Sequence, residues 1–210
     1  AYLYFDREDG SPSLDVSRIA GGYGLYRMDY HPGEEAVTYS DGSTATWSDA
    51  LHLDRIETVL PLEGTIRQAV VTPDGEKLLV LWEGDGMLHL AVVELKSGRL
   101  VQQLDLLPIT EGLGLSETEF LGDALLLRLW DGTLAVAAPE GEGYRLALSA
   151  KPTDAALAPY LSEGVENGRY RWNASVTAFD GERLALLYPQ DNSVVSPLVL
   201  LVLNADGDPA

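Results

Sequence analysis

The sequence contains no cysteine, three histidines and two methionines. A disulfide framework, a cysteine-based zinc site and a thiol nucleophile are therefore excluded. Basic residues are also scarce, with 14 Lys plus Arg against 33 Asp plus Glu and a formal charge of −19. A polyanion such as DNA, or an anionic membrane surface, would meet net repulsion, so no nucleic-acid partner is expected. Long apolar runs are missing too. The longest, Pro197 to Leu203, has seven residues, far below the roughly 20 that cross a bilayer as a helix, and no membrane insertion is expected. The opening Ala1-Tyr2-Leu3-Tyr4-Phe5 has neither an initiator Met nor a basic leader, which reads as a processed or trimmed start.

What the chain does contain is a globular composition, 46% hydrophobic and 22% charged over 210 residues, and all-β folds of this length are routinely one domain. Four segments repeat one pattern of a glycine-bearing turn, an apolar strand, a second polar turn and another strand. The first turn reads His31-Pro32-Gly33, Thr72-Pro73-Asp74-Gly75, Leu121-Gly122-Asp123 and Phe179-Asp180-Gly181. Each leads into an apolar stretch: Ala36 to Tyr39, Leu78 to Trp82, Ala124 to Trp130 and Leu184 to Tyr188. The second turn repeats as Ser40-Asp41-Gly42, Glu83-Gly84-Asp85-Gly86, Trp130-Asp131-Gly132 and Pro189-Gln190-Asp191-Asn192. Proline presets φ, aspartate bonds its own backbone and glycine accepts positive φ, so these are hairpin corners.

The register glycines 33, 75, 122 and 181 stand 42, 47 and 59 residues apart, close to the roughly 40 to 50 residues of a propeller blade. The expected fold is therefore all-β: a β-propeller of four to five four-stranded antiparallel blades, or a partial propeller. The modules run over residues 21–62, 63–106, 107–150 and 151–210, the second reading as a complete four-strand blade. The long third interval holds an insertion from Lys151 to Asn173, where Thr153-Asp154 is placed to cap a short helix through Ala158. Asn204-Ala205-Asp206-Gly207 reads as a turn whose closing strand is not supplied. Residues 1–20 hold unassigned strands at Tyr2 to Phe5 and Leu14 to Ile19 that would close the last blade and cover its edge.

Thr72-Pro73-Asp74-Gly75-Glu76-Lys77-Leu78-Leu79-Val80 resembles the S-P-D-G-x-x-[LI]-x-[FVW] signature of WD40-like blades in TolB-type bacterial propellers. Phe179 to Leu186 and His31 to Val37 are weaker copies. The resemblance covers most of the chain at blade level but only a few residues per blade. It implies a scaffold for protein or ligand contacts and, with the trimmed start, an extracytoplasmic or cell-surface place in a bacterium; a cytoplasmic place stays open, since cysteine-free acidic chains suit both.

Catalytic and metal signatures fail on inspection. Gly114-Leu115-Ser116-Glu117-Thr118 lacks the final glycine of a nucleophile elbow and reads as a loop before a strand. His31, His52 and His89 fall in different parts of the modules, whereas zinc needs three or four converging ligands. Asn204-x-Asp206-x-Asp208 begins like a calcium loop, but Pro209 replaces the required glycine and no bidentate Glu follows, leaving a β-turn. No cofactor and no metal are expected. Trp47, Trp82, Trp130 and Trp172 recur near one part of successive modules and read first as core packing between blades. The candidate ligand-binding residues are Tyr160, Arg169, Tyr170, Arg171 and Trp172, aromatic rings with two of the few cations beside the insertion. The leading expectation is a non-catalytic binding or interaction module that contacts a protein or saccharide through rim loops. The alternatives are a glycan-active hydrolase with carboxylates at a central channel, and a structural segment whose partner is further blades of a parent chain.

Overall fold

The computed structural model describes residues 3–5, 12–14, 24–151, 176–189 and 198–210, and the regular elements among them are all β-strands. The helix expected at Thr153 to Ala158 and most of Leu14 to Ile19 lie outside the described residues. The chain divides into two compact units, Ala1–Glu63 and Gly64–Ala210.

In the first unit β1 (Leu3–Phe5) pairs antiparallel with β2 (Pro12–Leu14). A long two-stranded ribbon follows, β3 (Gly24–Thr38) against β4 (Thr44–Pro61). This replaces the four-strand module expected over 21–62. Between Thr44 and Leu60 the sequence has neither glycine nor proline, so nothing punctuates the strand. His31-Pro32-Gly33 is likewise no corner: it runs inside β3 opposite His52, Leu51 and Ala50, with a register shift between Gly33 and Glu35. A two-stranded ribbon has only edge strands, where a missing proline N–H is tolerated. The same register sets His31 against His52, which the module spacing had put in different contexts.

The second unit is built of meanders. β5 (Thr65–Val71), β6 (Lys77–Gly84), β7 (Met87–Glu94) and β8 (Leu100–Pro108) form a first sheet in chain order. β9 (Leu115–Leu121), β10 (Ala124–Leu129), β11 (Leu134–Glu140) and β12 (Gly143–Ala150) form a second. β13 (Val176–Phe179), β14 (Leu184–Pro189) and β15 (Leu198–Leu203) form a third. All neighbours are antiparallel. The blade read at 63–106 is thus present as β5 to β8, and Ser116, expected in a loop, lies within β9.

One turn recurs three times. In Tyr39 to Ser43, Leu129 to Thr133 and Asn204 to Asp208 the glycine has φ of +84°, +87° and +84°. Its N–H donates to the carbonyl three residues back, at 3.0, 2.9 and 2.8 Å. The aspartate before it accepts from the N–H two residues on, at 2.9, 2.9 and 3.2 Å. This is the three-residue hairpin loop with glycine in the left-handed position, and the carboxylate replaces water on an N–H the strands do not pair. The Thr72 corner uses more side chain: Thr72 Oγ1 donates to Asp74 Oδ1 at 2.6 Å and accepts from Lys77 N–H at 3.0 Å. The threonine hydroxyl first, and then the Glu76 N–H that donates to the same Oδ1 at 3.0 Å, hold the Asp74 carboxyl below its ordinary range. Between β6 and β7 the two linking residues, Asp85 and Gly86, both have positive φ, +50° and +74°, as a two-residue type I′ hairpin requires.

The sheets stack face on face. Leu79 and Leu81 of β6, with Leu88 and Leu90 of β7, pack against Leu125 and Leu127 of β10. The opposite face of the second sheet, through Leu126 and Val136, packs against Leu184, Leu186, Leu201 and Leu203. Successive up-and-down sheets layered in chain order are the blade arrangement of a β-propeller; in this unit three of them form an open stack. Polar ties align the layers. Gln102 of β8 donates to Tyr144 O at 2.9 Å and accepts from Tyr144 N–H at 2.7 Å. The Tyr144 hydroxyl donates to Asp123 O at 3.0 Å, and burial pushes its phenol up to about 12.

After β15 the chain turns back on itself without forming a further strand among the described residues. Leu203 and Pro209 form an antiparallel bridge, and Ala210 N–H donates to Val202 O at 2.8 Å. The Asn204 to Asp208 segment is a turn, as read from the sequence.

Candidate interaction surface

Three side-chain constellations in the second unit are built well enough to be candidate sites. The first is a cross-strand row, Trp82 on β6, His89 on β7 and Asp105 on β8, set side by side by strand register. His89 stacks on Trp82 with ring centroids 4.9 Å apart and planes 17° from parallel. Its ring nitrogens lie 2.8 Å from Asp105 Oδ1 and 3.1 Å from Gly84 O. Trp82 is only 3% exposed, so the packing role expected for this residue holds. Trp130 differs: β10 ends at Leu129, and the indole in the following turn is 40% exposed. The position just past the strand end decides that, because turn side chains lean outward while strand side chains alternate into the stack.

The second constellation lies along the first strands of the sheets. Arg67 on β5 binds Glu83 through Nε at 2.7 Å and through its terminal nitrogen at 2.6 Å. The other Glu83 oxygen accepts from Leu115 N–H at 2.8 Å, tying the first sheet to the second. A Cβ on Gly114 would fall 1.8 Å from that oxygen, so glycine makes this approach possible. In the second sheet Arg128 pairs with Glu117 at 2.9 Å and with Glu119 at 3.6 Å, and Thr177 of the third sheet donates to Glu119 at 3.4 Å. Each of these carboxylates is already engaged by an arginine. Among the described residues no group of three or more His, Asp or Glu is placed to hold a metal.

The third constellation is the outer face of the third sheet. Strand alternation sends Leu184, Leu186, Leu201 and Leu203 inward and leaves Ala185, Leu198, Leu200 and Val202 on the other side. Leu198 is 63% and Leu200 65% exposed. A depression of about 300 Å³ opens at one end, lined by Ala178, Phe179, Asp180, Arg183, Ala185 and Val202. Asp180 and Arg183 form its polar edge. The guanidinium donates through two nitrogens to Asp180 Oδ2, at 3.0 and 2.8 Å. Glu182 and Arg183 N–H donate to Oδ1, at 3.0 and 2.7 Å. These donors, the backbone N–H groups first, bring the Asp180 carboxyl down to about 2. A carboxylate depressed in the folded state stabilises it above its unfolded pKa, and that contribution is lost as pH falls through the folded value. An NMR titration should find the Asp180 carboxyl ionising near pH 2; a midpoint at the ordinary 3.8 would show that the turn does not hold it.

The sequence-predicted ligand residues Tyr160, Arg169, Tyr170, Arg171 and Trp172 lie outside the described residues. Ser116 sits within β9 rather than on a sharp strand-to-helix turn, so the elbow geometry is missing. The outer face of the third sheet was not singled out from sequence. Its signal was present in Leu198 to Leu203, an unbroken aliphatic strand at the end of the last module.

No protein-family model and no curated protein matches the chain. Among solved structures it is similar to the β-propeller domain of Cps50 (Swd1) from Myceliophteria thermophila, at 15% identity and a TM-score of 0.39, over 70% of this chain and 42% of that one. It is also similar to a putative 6-phosphogluconolactonase from Bacteroides uniformis, at 14% identity and a TM-score of 0.38, over 99% of this chain and 62% of that one. The chain therefore spans less than two thirds of either. Both likenesses are loose, and the assignment of the fold rests on strand order and sheet stacking.

Proposed function

We propose that the chain is a non-catalytic binding module on a propeller-type scaffold and that it contacts a protein through the outer face of β13 to β15. The observation that carries this reading is the exposure of Leu198 and Leu200, 63% and 65%, on a face whose neighbours Ala185 and Val202 are also apolar. Isolated exposed leucines are ordinary, but a contiguous apolar patch beside a depression is the usual mark of an interaction site. The engagement of Glu83, Glu117, Glu119 and Asp180 by arginines favours binding over hydrolysis, since none of the four stands free opposite a second carboxylate.

Replacing Leu198 and Leu200 together by serine should leave the melting temperature nearly unchanged, because exposed side chains away from special features contribute within about 0.5 kcal/mol. The same change should abolish the fluorescence gain of Nile red, a neutral apolar dye, on the wild-type chain. A cooperative loss of folding would instead make these leucines core residues and end the reading. So would turnover of an aryl glycoside that a single Glu117→Gln or Glu83→Gln change abolishes.

A further inference from the structure

The third sheet differs from the second on one face only. Both faces of β10 are covered, Leu125 and Leu127 by the first sheet and Leu126 by the third. The inner face of β13 to β15 is covered in the same way, whereas the outer face, of the same aliphatic chemistry, leaves Leu198 and Leu200 open. The sheet-to-sheet interface made twice inside this unit thus continues in composition onto a third surface. Its natural complement is another aliphatic sheet face, because aligned sheets interlock side chains across a layer of about 10 Å.

Charge selects among the sheets that would fit. Phe179, Leu184 and Leu203 form the terminal row of the sheet, so the turns 180–183 and 204–208 lie at the same end. They bring Asp180, Glu182, Asp206 and Asp208 to one rim, with Arg183 as their single cation. That cation is spent on Asp180. A second copy would bring another chain of charge −19 to this face, and net charge of that size opposes self-association.

We infer that the outer face of β13 to β15 docks an aliphatic β-sheet face of a different protein, whose edge over the 180–183 and 204–208 turns carries Lys or Arg. This rests on the reading of the face as a contact surface and adds the chemistry of what it contacts.

The test uses the full chain and two synthetic strand peptides of equal length, one alternating Leu and Lys and one alternating Leu and Glu, titrated by calorimetry. The Leu-Lys peptide should bind one to one, and the Leu-Glu peptide at least tenfold more weakly. L198S/L200S, which leaves the charge unchanged, should weaken the Leu-Lys peptide at least tenfold. E182Q/D208N spares Asp180 and Asp206, whose carboxylates accept the turn N–H groups, and should weaken it severalfold while flattening its salt dependence. Equal affinity for the two peptides would overturn the basic partner while leaving an apolar contact surface. Leu-Lys binding that ignores L198S/L200S would place the peptide elsewhere and overturn the contact surface as well. A wild-type dimer by light scattering that becomes a monomer in L198S/L200S would make a second copy the occupant and overturn the proposal.

Discussion

Leu127→Ala is expected to lower the unfolding free energy of the second unit by about 2–5 kcal/mol, the range for removing a fully buried leucine from a core that relaxes only in part. Leu127 has no exposed surface and packs between the first and second sheets. Leu126→Ala should lose a similar amount from the other side of the same strand, between the second and third sheets. Adjacent residues on one strand thus report on different layers, because alternation sends them to opposite faces. Urea unfolding of the two variants and of Leu200→Ala makes the comparison. The exposed leucine should shift the curve by no more than about 0.5 kcal/mol. If either buried leucine behaved like Leu200, the second sheet would not be covered on both faces and the stack would be wrong.

Gly207→Ala carries the second large effect. The residue has φ of +84°, and a Cβ there would stand 2.4 Å from Ser149 O and 3.1 Å from Ala150 Cα. The obstacle is backbone of β12, in the second sheet, so no rotamer change relieves it. Gly75→Ala supplies the reference: φ is +75° with nothing within 4 Å of its Cβ. That variant meets only the left-handed penalty for an L-residue, about 1–2 kcal/mol. Gly207→Ala should lose at least twice as much as Gly75→Ala, and the excess measures how tightly the turn after β15 seats on β12. Equal losses in thermal or urea unfolding would show that the turn is held by its own hydrogen bonds alone.

Much of the second unit was legible in the sequence because its corners are local chemistry. The Asp131-Gly132 and Asp206-Gly207 turns bond within five residues, so proline, aspartate and glycine announce them without help from the rest of the fold. The His31-Pro32-Gly33 reading failed for the converse reason. Proline there is accommodated by an edge-strand ribbon and a register shift, both properties of a partner strand that the three residues do not encode. Trp82 and Trp130 looked equivalent by spacing, but Trp82 lies two residues inside the end of β6 and Trp130 one residue past the end of β10, and this separates a buried ring stacked on His89 from an exposed one. The ties through Glu83 to Leu115 and Gln102 to Tyr144 join residues 32 and 42 positions apart, and nothing in local pattern marks such pairs.

The same division applies to the interaction surface. An unbroken aliphatic strand such as Leu198 to Leu203 reads as buried on both faces, as Leu78 to Leu81 and Ala124 to Leu127 do. By itself the sequence determined that the third sheet would be apolar on each side, that the chain would be strongly acidic, and where the corners at residues 72–75, 129–133 and 204–208 would fall. Only the tertiary structure decided which sheet covers which face. Alternation assigns a residue to one side of its own strand, while burial depends on how many neighbouring layers stack against that side, and for Leu198 and Leu200 the described layers stop one sheet short.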